Sequence, residues 1–154
     1  MVKKVLIVLV LVVGAGIAWW LISPVWRVVP RNDTLPVVPA KSQKGAGVVP
    51  DIKQVVQGDF QPKAHDVKGN ASVPETESGK ILRFENFETI NGPDLRIYLS
   101  ADLEAKDFID LGPIKGTQGN INYFLPANVD LNRYNKVLVW CRAFHVLFSY
   151  AELR

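Results

Sequence analysis

The chain divides by the rhythm of its apolar positions. Val5 to Ile22 is one uncharged apolar run of 18 residues, ended by Ser23-Pro24. The next thirty residues show no amphipathic period. From Gly58 onward, short alternating runs are separated by turn residues. Within Ile81 to Phe87, Leu82 and Phe84 alternate with Arg83 and Glu85, and Leu95, Ile97 and Leu99 alternate with Arg96, Tyr98 and Ser100. Both runs predict half-exposed antiparallel strands, with Asn91-Gly-Pro-Asp94 as the turn between them. Phe108 to Leu111 and Ile121 to Leu125 predict further strands, the second ended by Pro126, with reversals at Gly112-Pro113 and Gly116-Thr-Gln-Gly119. Asp130 to Tyr134 suits a helical turn. The last twenty-one residues are the most apolar of this region: Val137, Val139 and Cys141 fall on one face, Lys136, Leu138, Trp140 and Arg142 on the other, and Phe144, Val146 and Phe148 alternate with His145, Leu147 and Ser149. A nearly continuous run rich in β-branched and aromatic residues predicts a central strand covered on both faces. The fold class this implies is all-β, an antiparallel β-sandwich behind a single N-terminal transmembrane helix and a Pro-rich linker.

The first run is just long enough to cross a bilayer. Lys3 and Lys4 precede it and Trp19, Trp20 and Trp26 gather at its far end, the flanks of a signal anchor whose N-terminus stays in the cytoplasm. The chain is accordingly expected at the cell membrane, single-pass, with its C-terminal domain extracytoplasmic. A cleaved signal peptide competes, since Gly16 and Ala18 are small enough for a cleavage site, but bulky Trp19 and Trp20 would then begin the mature chain. A lipoprotein is disfavoured because no cysteine follows the run to accept a lipid. The expected divisions are residues 1–22 for tail and anchor, 23–55 for the linker and 56–154 for the β domain. The linker carries Pro24, Pro30, Pro36, Pro39 and Pro50, half the prolines of the chain, and three Val-Val-Pro echoes. Extended at about 3.1 Å per residue, such a spacer would hold the domain several tens of ångströms from the membrane. Asn32-Asp-Thr34 and Asn70-Ala-Ser72 match the glycosylation pattern, which carries weight only in a glycosylating secretory pathway.

Charge narrows the partners. The formal net charge is +3, but from Val56 onward 11 Lys and Arg stand against 13 Asp and Glu, so the β domain offers no basic patch for nucleic acid. One cysteine excludes an intramolecular disulfide, a CxxC pair, CxxCH haem attachment and a Cys-rich zinc site. Nucleophilic catalysis would need Cys141 beside His145 or His65. Four positions apart on a strand lie about 13 Å apart, so Cys141 and His145 meet only if the chain reverses at Arg142-Ala143. Asp102, Glu104, Asp107 and Asp110 fall in a loop-like segment and read as a solvated face. The sole methionine is Met1, which removes methionine ligation of haem, while ligation by a thiolate or histidine stays open.

Gly58-Asp-Phe60, Gly69, Leu82-Arg-Phe84, Phe87, Asn91-Gly-Pro-Asp94, Leu111-Gly112, Lys115-Gly116, Gly119, Tyr123, Pro126, Tyr134, Val139-Trp-Cys141, Phe144, Phe148 and Ala151 together resemble the DM-thirteen domain, over about residues 56–154. Ser149-Tyr150 departs from that pattern, where a glycine is expected. The resemblance implies a β-rich extracytoplasmic module assigned to electron transfer, with Cys141 as its redox thiol or as the holder of a prosthetic group such as haem. Electrons would pass to or from another protein, because the chain carries no second redox domain. Beside this stands a non-enzymatic binding or adhesion module in which Cys141 is structural, since free cysteine often packs as a small hydrophobe.

Overall fold

The computed structural model describes residues 2–23, 27–36, 54–76 and 79–154. The apolar run forms helix α1 (Val2–Ile22), which would span about 30 Å. Its side chains from Val2 to Trp20 are all exposed, so it is not a core helix of the domain. Among the described residues nine strands follow: β1 (Pro30–Asn32), β2 (Gln54–Pro62), β3 (Val67–Thr76), β4 (Gly79–Thr89), β5 (Leu95–Ser100), β6 (Phe108–Pro113), β7 (Gln118–Phe124), β8 (Lys136–Cys141) and β9 (Val146–Glu152). They make one sheet in the order β1-β7-β4-β3-β2-β9-β8-β5-β6.

The predicted strands from β4 to β9 and the turn at Asn91–Asp94 are present, and Tyr134 N–H closes a helical turn onto the Asp130 carbonyl at 2.9 Å. Three features differ from the expectation. The strands do not form two separate antiparallel sheets: β2 belongs to both halves, its residues Gln57 to Asp59 pairing with β3 and Phe60 to Pro62 with β9, so a single sheet curls around one core. A Cβ on Gly58 would collide with the Glu152 carbonyl, so the crossing requires glycine. The sheet is also mixed, because β1 runs parallel to β7. Finally, β1 lies inside the stretch read as linker. Pro24 and Trp26 fall outside the described residues.

Inward positions from both halves fill the core. Leu82, Phe84 and Phe87 of β4, Ile121 and Tyr123 of β7, Leu95, Ile97 and Leu99 of β5 and Val137, Val139 and Cys141 of β8 belong to one buried cluster. Phe84 and Phe87 share that face despite odd spacing because the β4–β7 register shifts between them, with Asn86 at φ 49°. Phe60 packs on both, with ring centroids 4.9 Å from each. Strand β5 is not half-exposed: Tyr98 on its other face is buried with Leu138 and Leu147 under Leu103 and Ala105 of the 101–107 loop. The β4–β5 turn therefore joins the two halves of the sheet instead of making a hairpin.

Candidate functional site

Cys141 is the last residue of β8, which lies between β5 and β9. Its partners are Leu95 across one ladder and Val146 across the other, and it has no exposed surface. Period two sets this face: Val137 and Val139 point into the same core, while Leu138, itself buried, and Trp140 lie on the opposite face. Trp140 stacks toward Tyr98 (6.3 Å, 27°), and Tyr98 stacks on Phe108 (4.1 Å, 21°), so the other side of the strand carries an aromatic row.

The chain does reverse after Cys141. Arg142 to His145 form the hairpin turn, His145 taking φ 54°. The reversal puts His145 on the exposed tip while the thiol faces the core, so the two do not form a dyad. Phe144, which alternation grouped with Val146 and Phe148, is 58% exposed on the same turn. The phase of β9 changes further along: Val139 faces Ser149 but Trp140 faces Leu147, which leaves Phe148 as an extra residue. The freed Phe148 carbonyl accepts amide N–H groups from Lys63, Ala64 and His65 at 3.1 to 3.2 Å, and the His65 ring packs on the Phe148 ring at 4.1 Å. His65 is thus a half-buried packing residue, not a freely solvated one. Ser149, where the family pattern expects glycine nearby, stands within β9 and is fully buried.

Arg142, the charged residue next to Cys141 in sequence, is engaged away from the thiol. Arg142 Nε donates to Asp94 Oδ2 at 2.7 Å, and the Arg142 amide donates to the Asp94 carbonyl at 2.9 Å. The acidic segment proves to be scaffolding. The Asp102 carboxylate accepts N–H groups of Glu104, Lys106 and Asp107. Desolvation opposes its ionisation, but those backbone donors outweigh it and hold Asp102 below the usual carboxylate range. Asp107 pairs with Arg133 (2.7 Å) and accepts the Tyr134 hydroxyl (3.0 Å), and Asp110 pairs with Arg96 (2.7 Å). Among the described residues, no three His, Cys, Asp or Glu side chains gather as a metal set. Haem does not fit at Cys141 in this conformation: the thiol is enclosed by close-packed apolar side chains, with no exposed face to meet a macrocycle.

Residues 59–153 match the family model described as Electron transfer DM13. The chain belongs to this family. The DM13 match thus covers the curled sheet from within β2 to the last buried residue, Leu153, and leaves α1, β1 and the first half of β2 outside. No curated protein and no solved structure matches the chain. Period-two reading reached Cys141 and its flanking face, whereas nothing in the local pattern signalled the bulge at Phe148 or the bonding of residues 27–34 to the sheet.

Proposed function

We propose that the chain is a membrane-tethered extracytoplasmic electron-transfer module whose redox chemistry centres on Cys141, exchanging electrons with a separate protein. Membership of the electron transfer DM13 family carries this reading. The exposed apolar surface of α1 supports the tether, since burial within the domain does not account for it. Cys141 is the chain's one thiol, and it occupies the strand end one residue before an exposed hairpin. Local opening at that end is the route by which a partner reaches the sulfur. The second reading, a binding or adhesion module with a structural cysteine, is favoured by the complete burial of Cys141.

Alkylation of the folded full chain in detergent separates the two readings. Under the redox reading, Cys141 is modified far faster than the chain globally unfolds, and Cys141→Ala abolishes electron exchange while retaining the fold. Modification only at the rate of global unfolding, with function intact in the alanine variant, would sink the redox assignment.

A further inference from the structure

The chain re-enters the sheet soon after α1 ends. The Arg27 carbonyl accepts the Asn91 side-chain N–H at 3.3 Å. Val29 N–H donates to Thr117 Oγ1 (2.9 Å), and Thr117 N–H returns a bond to the Val29 carbonyl (2.8 Å). Past β1 the hold continues: Asn122 N–H donates to Asp33 Oδ2 (3.0 Å), Asn122 Nδ2 to the Thr34 carbonyl (2.9 Å) and Arg83 Nη1 to the Asp33 carbonyl (3.1 Å). Residues 27–34 thus form a clasp on β4, β7 and their loops. Four peptide steps separate Ser23 from Arg27, a reach of at most about 14 Å. The remaining Pro-rich residues, 37–53, come after the clasp, so they do not act as a stalk between α1 and the domain.

Register shows which end of the sheet is held close to α1. β1 and β7 start there, paired Pro30 to Gln118; β4 ends there and β3 begins, with Glu88 beside both Gln118 and Lys68; β5 begins and β8 ends there, Leu95 against Cys141. The loops 63–66, 90–94, 114–117 and 142–145 all lie at this end. Among the described residues, the large apolar side chains exposed outside α1 are Val28, Val29, Ile90, Phe108, Phe124 and Phe144, and four of these six (Val28, Val29, Ile90 and Phe144) stand at this end. Arg27 and Lys63 stand beside them without a side-chain partner among the described residues, against Asp66, while Lys68 and Arg142 pair with Glu88 and Asp94. Apolar tips fringed by cations suit the headgroup layer of a bilayer.

We infer that the clasp seats the DM13 domain directly on the membrane, with the 63–66, 90–94 and 142–145 loops in the headgroup layer and Phe144 and Ile90 entering it. This rests on α1 being an uncleaved anchor. It also places the strand end bearing Cys141 next to the bilayer surface.

Photocrosslinking tests it on the unmodified full chain. The chain is placed in nanodiscs of phosphatidylcholine and phosphatidylglycerol that include a lipid carrying a diazirine at its headgroup, and adducts are mapped by mass spectrometry. Adducts are expected at 27–29, 63–66, 90–92 and 142–145, and not at the opposite end, around 101–107 and 125–135. A Cβ at Gly116 would lie 2.8 Å from Arg31 Cβ and 2.9 Å from the Val29 carbonyl, so Gly116→Val should dislodge the clasp. Adducts on the 63–66, 90–92 and 142–145 loops should then fall severalfold while those on α1 persist. A chain that stays in the disc with no adducts beyond α1 and its flank, with adducts equally at both ends, or with loop adducts unchanged by Gly116→Val overturns this inference alone. A chain that leaves the disc in a salt wash overturns the anchor reading itself.

Discussion

Tyr123 shows how a single side chain ties the core to its rim. Its ring lies in the buried cluster beside Phe84, its hydroxyl accepts the Lys115 amide at 3.0 Å, and Lys115 Nζ sits 4.6 Å from the ring centroid. Burial pushes the phenol from 10.0 up to about 12, against the opposing amide bond. The folded state then keeps its proton where the unfolded chain has lost it, so this stabilisation is complete below pH 10 and disappears between pH 10 and about 12. It amounts to about 2 to 3 kcal/mol. Denaturant midpoints measured from pH 9 to 12 should fall less steeply for Tyr123→Phe than for the parent; parallel curves would count against the assignment. Ser149 offers the opposite case: its hydroxyl is buried and lacks a partner among the described residues. Ser149→Ala should therefore stabilise the fold by about 1 kcal/mol, measured by the same titration at pH 7. Cys141→Ala should cost about 1 kcal/mol through a small cavity, and Cys141→Ser more, because it buries a hydroxyl where only apolar groups surround it.

Elements differ in how far their own residues declare them. Strands β4, β5, β7 and β8 were legible because inward Leu82, Phe84, Ile97, Leu99, Ile121, Tyr123, Val137 and Val139 keep period two over several residues. β2 and β3 were not, since Gln-Gly-Asp and Lys-Gly-Asn-Ala-Ser have little strand propensity and are held by pairing on both sides. β1 is three residues beside prolines, and only its ladder to β7 makes it a strand. The face of Cys141 followed from alternation, but the register of β9 depends on the bulge at Phe148, a property of two strands together. The 101–107 loop is set by one residue: without the Asp102 carboxylate three amides lose their acceptor and Leu103 and Ala105 lose their seat over Tyr98 and Leu138. Asp102→Ala should cost about 1 to 2 kcal/mol and speed amide exchange at 104–107 first. In the clasp, desolvation raises the Asp33 pKa, but bonds from Arg31 and the Asn122 amide outweigh it and hold the carboxyl low. A lowered folded pKa stabilises the clasp above the unfolded value of 3.8 and is lost as pH falls through the folded one. Exchange at residues 29–34 should accordingly rise in acid, and less so in Asp33→Asn, which has no carboxyl to protonate.

At the scale of the whole molecule, the clasp makes the boundary of the DM13 match and the boundary of the folded unit differ. The match begins at residue 59, yet Val29 to Thr34 close the outer edge of β7, and Gly116 lies buried beneath them. A piece beginning at residue 54 retains β2 to β9 and their common core, so it should still unfold cooperatively. It loses the parallel ladder to β7 and leaves Arg83 Nη1 and Asn122 without their bonds to residues 33 and 34. A piece beginning at residue 27 keeps these bonds and should be more stable by about 2 to 4 kcal/mol, the sum of several hydrogen bonds that each contribute about 1 kcal/mol. The exposed β7 edge of the shorter piece is also a template for pairing with another copy. Urea titrations of the two pieces, with light scattering at rising concentration, check both effects. Equal midpoints would show that residues 27–36 rest on the sheet without holding it. A large difference would mean that the segment joining α1 to the domain also stabilises the domain.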